Sequence, residues 1–202
     1  VQYNELMTET LKYFLALLTI IFWPVIPLFW IPVHLATNFF SKFRVLAYSM
    51  PVIAWMPLAY FLYHKRAVLL SSEIAFPLPV TIAGLVLLGA GTLLHLWTLR
   101  LLGIGIIGIP QIFSRIRNTL ITSGPFRVVR HPTYLAHTLI FSGVFFISGA
   151  CATGIITLLD LLTVNLLIIP LEEKELSVRF GKMFAHYKKK VPSRFFPWPG
   201  SG

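Results

Sequence analysis

Acid is the scarcest chemistry in this sequence. Its 202 residues include seven Asp and Glu against 17 Lys and Arg, and no acid occurs between Glu73 and Asp160. Charge of either sign is sparse at 12%, while 56% of residues are hydrophobic. Several apolar runs are too long for a globular core of this size, which excludes a soluble domain and predicts an integral membrane protein. There is a single cysteine, Cys151. It can form no internal disulfide and offers no thiol-based metal site. No basic stretch is interleaved with aromatics in a soluble domain, so nucleic acid is not a partner. The net charge of +10 instead reports orientation and contact with anionic headgroups.

The apolar runs set the organisation. The first extends from about Leu11 to Leu35, far longer than a signal-peptide core, and carries Pro24, Pro27 and Pro32. It predicts a kinked span rather than a cleaved leader. A second span, Val45 to Tyr63, is broken by Pro51 and Pro57 and ends in His64, Lys65 and Arg66. Ala67 to Phe76 is too short to cross and reads as an interfacial segment. Pro77 opens a third span to about Leu102, whose Gly84, Gly89 and Gly91 let neighbouring helices approach closely. Leu135 to Ser148 and Ile155 to Leu171 are two further short apolar helices in a tight antiparallel hairpin. The expected fold is therefore all-α and polytopic, with about five transmembrane helices. Residues 1–102 form three N-terminal spans, and residues 103–202 a loop, the hairpin, and an amphipathic tail helix. Of the basic residues, four lie between Arg115 and Arg130 and seven between Lys174 and Arg194. The positive-inside rule puts that loop and the C-terminus together on the cytoplasmic side. Five spans then leave the N-terminus outside, with Lys65 and Arg66 facing outward against the rule.

Polar chemistry concentrates in Thr122 to Tyr134, TSGPFRVVRHPTY. Pro132 suits the first position of a helix, because its missing N–H is one of the amides left unpaired there. His131 becomes the N-cap. The amides of Thr133 and Tyr134, with the positive end of the helix dipole and the permanent charge of Arg130, make a small anion site. Tyr134 and His137, three residues apart, share a face at the helix mouth. The other reading is a cationic loop on lipid headgroups.

The tail is the second feature. After Pro170, Glu172, Glu173 and Glu175 lead into a helix whose Leu176, Phe180, Met183, Phe184 and Tyr187 recur at helical spacing. Glu173 falls on the inward stripe, where a carboxylate is expensive without a partner. Arg130 and His131 are the available cations. Alternatively, Glu172 and Glu173 only complement the helix dipole, worth roughly 0.3–1 kcal/mol. Lys188 to Lys190 read as an interfacial anchor.

Other patterns carry less. Gly103-Ile-Gly-Ile-Ile-Gly108 matches the dinucleotide-binding glycine pattern, but it follows a membrane helix instead of a strand, precedes Pro110, and has no ribose-binding acid. A flexible apolar loop over a ligand or lipid fits better. His34, His64, His95 and His186 lack the spacing and carboxylate company of a metal site, and are expected to be satisfied locally; no metal is predicted. Asp160 and Asn165 lie at membrane depth, where polar groups face a cavity or a partner. Asn165, seven residues before Glu172, shares nearly its face, and Asp160 lies nearer the outer end and could reach the interface.

Two separated blocks then form one pattern: Gly124-Pro125-Phe126, Arg130-His131-Pro132 and Tyr134; and Glu172-Glu173, Leu176, Phe180-Gly181, Tyr187, Val191-Pro192 and Arg194. This resembles the isoprenylcysteine carboxyl methyltransferase family and its wider circle of phospholipid methyltransferases, over roughly the last hundred residues. Phe126 and Phe184 stand where tyrosine is more usual, keeping the ring and losing a hydroxyl. The resemblance implies a membrane-embedded enzyme using S-adenosylmethionine, with a lipophilic or prenylated substrate entering from the bilayer. The leading acceptor is an isoprenylcysteine-like carboxylate, with a phospholipid amine or a thiol as alternatives. It implies cofactor contacts from Thr122, Gly124, Pro125, His131, Pro132, Tyr134, His137, Glu172, Tyr187 and Arg194. Arg130 would hold an anionic acceptor, and Glu173 would orient Arg130 or take a proton. A sterol-type reductase using NADPH and a non-catalytic lipid-binding membrane protein are the other classes left open.

Overall fold

Proline placement decides where the N-terminal helices break. In the computed structural model, which describes residues 2–36, 39–40, 42, 49–103 and 119–196, helix α1 (Gln2–Phe22) stops just before Pro24, and α2 (Val25–Leu35) starts just after it. Pro24 has no N–H to continue the α1 ladder. Together the two helices form a kinked apolar segment, Leu6–Leu35, long enough to cross a membrane. Helix α3 (Ser49–His64) closes on the break: Trp55 Nε1 donates to the Ile21 carbonyl at 2.8 Å, and its ring stacks on Phe22. After the single turn α4 (Arg66–Leu69), the chain does not lie free on the interface. Its extended residues are hydrogen-bonded to the turn at Gly149, through Ile74 N to Gly149 O and Cys151 N to Ser72 O, each 2.9 Å.

Helix α5 (Leu78–Leu102) and helix α6 (Pro132–Ser148) form the tightest seam. Small residues let their backbones meet. A Cβ on Gly91 would stand 2.9 Å from Ala136 O, and one on Gly143 would stand 2.6 Å from Leu88 N. Gly84 makes the same close approach, seven residues and two turns from Gly91, whereas Gly89 faces open space. The predicted small-residue contact therefore uses two of the three glycines of α5, with Gly143 from the other side.

The fifth apolar helix does not end near Leu171. Helix α7 (Cys151–Thr163), a π-helical turn (Val164–Ile168) and helix α8 (Ile169–Phe180) form one continuous apolar segment, Cys151–Phe180. Pro170 would break an ordinary helix because it cannot donate to the carbonyl four residues back and its ring collides there. The π turn inserts the extra residue that relieves this, with Ile169 N donating to Val164 O five residues back. A second correction concerns the tail. Its apolar spacing is interrupted at Gly181, where φ is +50°, so helix α9 (Lys182–Lys190) turns away from α8. Phe184 and Tyr187 are buried with Val191, while Met183 is exposed.

Among the described residues, three helical segments are long and apolar enough to cross a membrane, and α6 is a shorter apolar one; α3 is the remaining helix of the expected five. Most large side chains on the outside of α5, such as Ile82, Leu85, Val86 and Leu93, are exposed and apolar, as lipid contact requires. The core around Val129, Tyr134, Leu135, Val164, Ile168 and Phe195 lies where α2, α6, the π turn and the tail meet. Asp160 does not reach an interface. It is buried, accepting from Trp23 Nε1 at 3.1 Å and Thr138 Oγ1 at 3.3 Å, which ties α1 to the α6–α7 hairpin. Asn165 donates to Leu161 O.

Candidate functional site

Pro132 occupies the first turn of α6 and His131 is its N-cap residue, with backbone conformation rather than a side-chain hydrogen bond making the cap. Just upstream, a 3-10 turn (Gly124–Arg127) begins at Gly124 with φ +60°. Only glycine suits that conformation and the close approach of Trp97 and Leu101. The tail runs alongside: Arg130 N donates to Ser193 O at 3.0 Å and His131 N to Arg194 O at 3.1 Å. Tyr187 Oη donates to the Phe126 carbonyl at 2.7 Å, and burial raises the Tyr187 pKa.

The charged groups converge on Glu173. Arg130 gives its Nε and Nη2 to Glu173 Oε1, each at 2.9 Å, and its Nη1 to the carbonyls of Val191 and Pro192, each at 2.7 Å. Arg194 Nη2 donates to Glu173 Oε2 at 3.2 Å. His131 stands between the two carboxylates, Nε2 at 3.3 Å from Glu173 and Nδ1 at 3.4 Å from Glu172. Burial pulls the His131 pKa down, but the carboxylates of Glu172 and Glu173 on either side of the ring outweigh that and hold it above the ordinary value. The inward placement of Glu173 and its pairing with Arg130 and His131 thus appear as the sequence predicts.

Glu172 differs from its neighbour. Its Oε2 lies 3.4 Å from His131 but makes no hydrogen bond among the described residues, and Thr133 Oγ1, His137 Nδ1 and His95 Nδ1 are likewise buried without a hydrogen-bond partner there. Such atoms are costly unless something fills them. Rings connect them: His131 stacks near Tyr134 at 6.0 Å, Tyr134 meets His137 edge-on at 6.3 Å, and His137 faces His95 at 5.0 Å. Tyr134 and His137 share a face as predicted. His95 is not satisfied locally; it stands against His137.

The predicted set divides by location. His131, Pro132, Tyr134, His137, Glu172, Glu173, Arg130 and Arg194 gather at the mouth of α6. Gly124 and Pro125 form the turn below it, with Pro125 buried, while Thr122 is exposed. Tyr187 is a core residue, 5% exposed, whose hydroxyl is already engaged. Arg115, Arg117 and the Gly103 to Pro110 loop beyond Gly103 lie outside the described residues. Sequence reasoning missed Trp30, His34 and Glu175. Trp30 packs edge-on against Tyr134, and His34, expected to have no carboxylate company, has Glu175 at 2.8 Å. Two spacings could have pointed to them: Glu175 lies one turn beyond Glu172, and His34 one turn beyond Trp30.

Among known proteins, the chain is 30% identical over 108 residues to the cobalt-zinc-cadmium resistance protein CzcN of Cupriavidus metallidurans, covering 50% of this chain and 49% of that protein. The chain thus spans about half the length of the curated relative it matches. No solved structure matches it. The model of the phospholipid methyltransferase family matches residues 80–183, which takes in α5, α6 and both carboxylates. The chain is therefore a member of the phospholipid methyltransferase family.

Proposed function

We propose that the mouth of α6 binds S-adenosylmethionine and that the protein transfers its methyl group to a lipophilic acceptor held in the bilayer. One observation carries this reading. Inside the family's matched region, Glu172 Oε2, Thr133 Oγ1 and His137 Nδ1 are buried with no hydrogen-bond partner among the described residues, beside a histidine whose charged form the neighbouring carboxylates stabilise. A zwitterionic, hydroxyl-rich molecule fits that donor set. His131 and the first-turn amides of α6 would hold its carboxylate, and Glu172 its amino group or ribose hydroxyls. When bound, that molecule supplies an electrophilic methyl on a sulfonium, so the protein's part is alignment and exclusion of water.

Arg130, Glu173 and Arg194 form the frame for this. Each Glu173 oxygen already accepts from a cation, and Arg130 is committed through Nε and both terminal nitrogens, which supports Glu173 as the group that orients Arg130. An anionic acceptor would reach Arg130 by displacing the Val191 and Pro192 carbonyls. Gly124 and Pro125 shape the turn beneath, and Tyr187 fixes it through Phe126. The positive-inside distribution favours the cytoplasmic face for this mouth. The acceptor is an isoprenylcysteine-like carboxylate or a protic group, an amine or thiol, on a lipid.

The test is calorimetric titration of detergent-purified protein with S-adenosylhomocysteine beside NADPH. Saturable binding of the first alone, lost in His131→Ala, supports the reading. Binding of NADPH alone would move the site to a reductase, and binding of neither by folded protein would leave a lipid-binding role.

A further inference from the structure

Helix α2 lies outside the region that the family model matches, yet it sends one ionisable side chain to α8. His34 Nδ1 is 2.8 Å from Glu175 Oε2, across 141 residues of sequence. The histidine side chain is fully buried, at 0% exposure, and the carboxylate is partly exposed, at 16%. An ionised carboxylate only accepts, so this bond requires the proton on Nδ1. A neutral ring with that proton carries its lone pair on Nε2, and Nε2 is buried with no hydrogen-bond partner among the described residues. The ring is also fixed in orientation: it lies stacked on Trp30 at 5.4 Å and 17°, and Trp30 in turn meets Tyr134. His34 is within electrostatic reach of Glu172, and Glu175 within reach of Tyr134. Of the titratable groups on the described residues, Glu175 of α8 pairs with it directly and Glu172 of the same helix is within electrostatic reach, while Tyr134 of α6 lies behind Trp30.

An imidazole whose Nδ1–H is held by a carboxylate, with a bare and desolvated Nε2, is arranged to accept a proton. Resting on the methyl-transfer reading above, we propose that His34, oriented by Glu175, is the proton acceptor of this site for a protic methyl acceptor. As the acceptor's nitrogen or sulfur forms its bond to the methyl carbon, the bond from that carbon to the donor sulfur breaks and leaves a neutral thioether. The proton passes from the nitrogen or sulfur to Nε2. The positive charge therefore moves from sulfonium to imidazolium, next to Glu175. A carboxylate acceptor, already ionised at neutral pH, makes no use of this group.

The decisive variant is His34→Asn, whose amide NH2 can replace Nδ1–H toward Glu175 while removing Nε2. Three readouts are taken on the full-length protein. Nitrogen-15 NMR of histidine-labelled wild type should show His34 carrying its proton on Nδ1. S-adenosylhomocysteine binding should be unchanged within about threefold in the variant. Transfer to dodecanethiol or phosphatidylethanolamine should fall about 100-fold or more and lose its acid limb, while transfer to N-acetyl-S-farnesylcysteine should change little. The proposal is overturned if the variant keeps wild-type rate and pH profile on the protic probes, if His34 carries its proton on Nε2, or if wild type methylates only the carboxylate probe or none of the three. Failure of wild type to bind S-adenosylhomocysteine would instead overturn the underlying reading, and this proposal with it.

Discussion

Helix α6 is held at its two ends by opposite means. Toward its C-terminal end, Gly143 meets α5 backbone to backbone, as Gly84 does from the other side, while Gly91 meets Ala136 and Ile140 nearer the start. At its start, Arg130, His131, Glu172, Glu173 and Arg194 form a lattice of ion pairs closed by tail carbonyls. Lipid supplies no hydrophobic drive for one helix to leave it for another, so the seam depends on closeness of fit. The lattice depends on being complete, because a buried charge that loses its partner costs more than the pair is worth. The seam should therefore resist added atoms, and the lattice removed ones.

The largest test removes the centre of the lattice. Glu173→Ala leaves Arg130 and His131 facing each other with Glu172 as the remaining acid, and should destabilise the protein by about 3–5 kcal/mol in an SDS titration from mixed micelles. Glu173→Gln keeps an acceptor for Arg130 and should cost distinctly less. Equal losses would mean that the charge of Glu173 carries the lattice and that a neutral acceptor in its place contributes nothing.

The next adds one methyl to the seam. Gly143→Ala would set its Cβ 2.6 Å from Leu88 N, an obstacle made of backbone, and should cost about 1–3 kcal/mol. Gly89→Ala is the matched control, since nothing lies within 4 Å of that Cβ. It should stabilise α5 by up to about 1 kcal/mol, the ordinary gain of replacing a helical glycine. If the two variants behave alike, the helices are not packed through this face.

These contrasts also mark what sequence could reveal. The Pro24 break, the start of α6 at Pro132 and the inward turn of Glu173 follow from rules that act over one helical turn, and all are legible. Pro170 obeys the same rule but meets a different solution: the π turn keeps the rod intact, and its choice over a break depends on the packing of Val164 and Ile168, both fully buried. Gly181 interrupts a periodic stripe that reads as continuous, because periodicity shows which residues want burial and says nothing of a turn between them. His34 and Glu175 are 141 residues apart, beyond any local signal. Of the candidate site, the two family blocks were legible, while the contribution of α2 needed the fold.

Smaller still is the effect at the lattice's rim. Arg194 is 44% exposed on its side chain, against 8% for Arg130. Water screens its pairing with Glu173, so Arg194→Ala should cost at most about 1 kcal/mol. A loss matching that of Glu173→Ala would place Arg194 at the centre instead.

The finest test is a slope with pH, and it separates the two ends of α6 without changing volume. The His131 pKa is raised by Glu172 and Glu173 above its ordinary value in spite of burial. A group whose pKa is higher folded than unfolded contributes stability in full below the unfolded value of about 6.5, and loses it as pH rises through the folded value. Stability should therefore decline as pH is raised above the ordinary histidine range. The decline should flatten in His131→Asn and persist unchanged in Gly143→Ala, whose added methyl meets only the backbone of Gly84 and Leu88. A slope that survives in His131→Asn would mean that the imidazolium is not what Glu172 and Glu173 hold, and would leave Arg130 and Arg194 as the cations that complete the lattice.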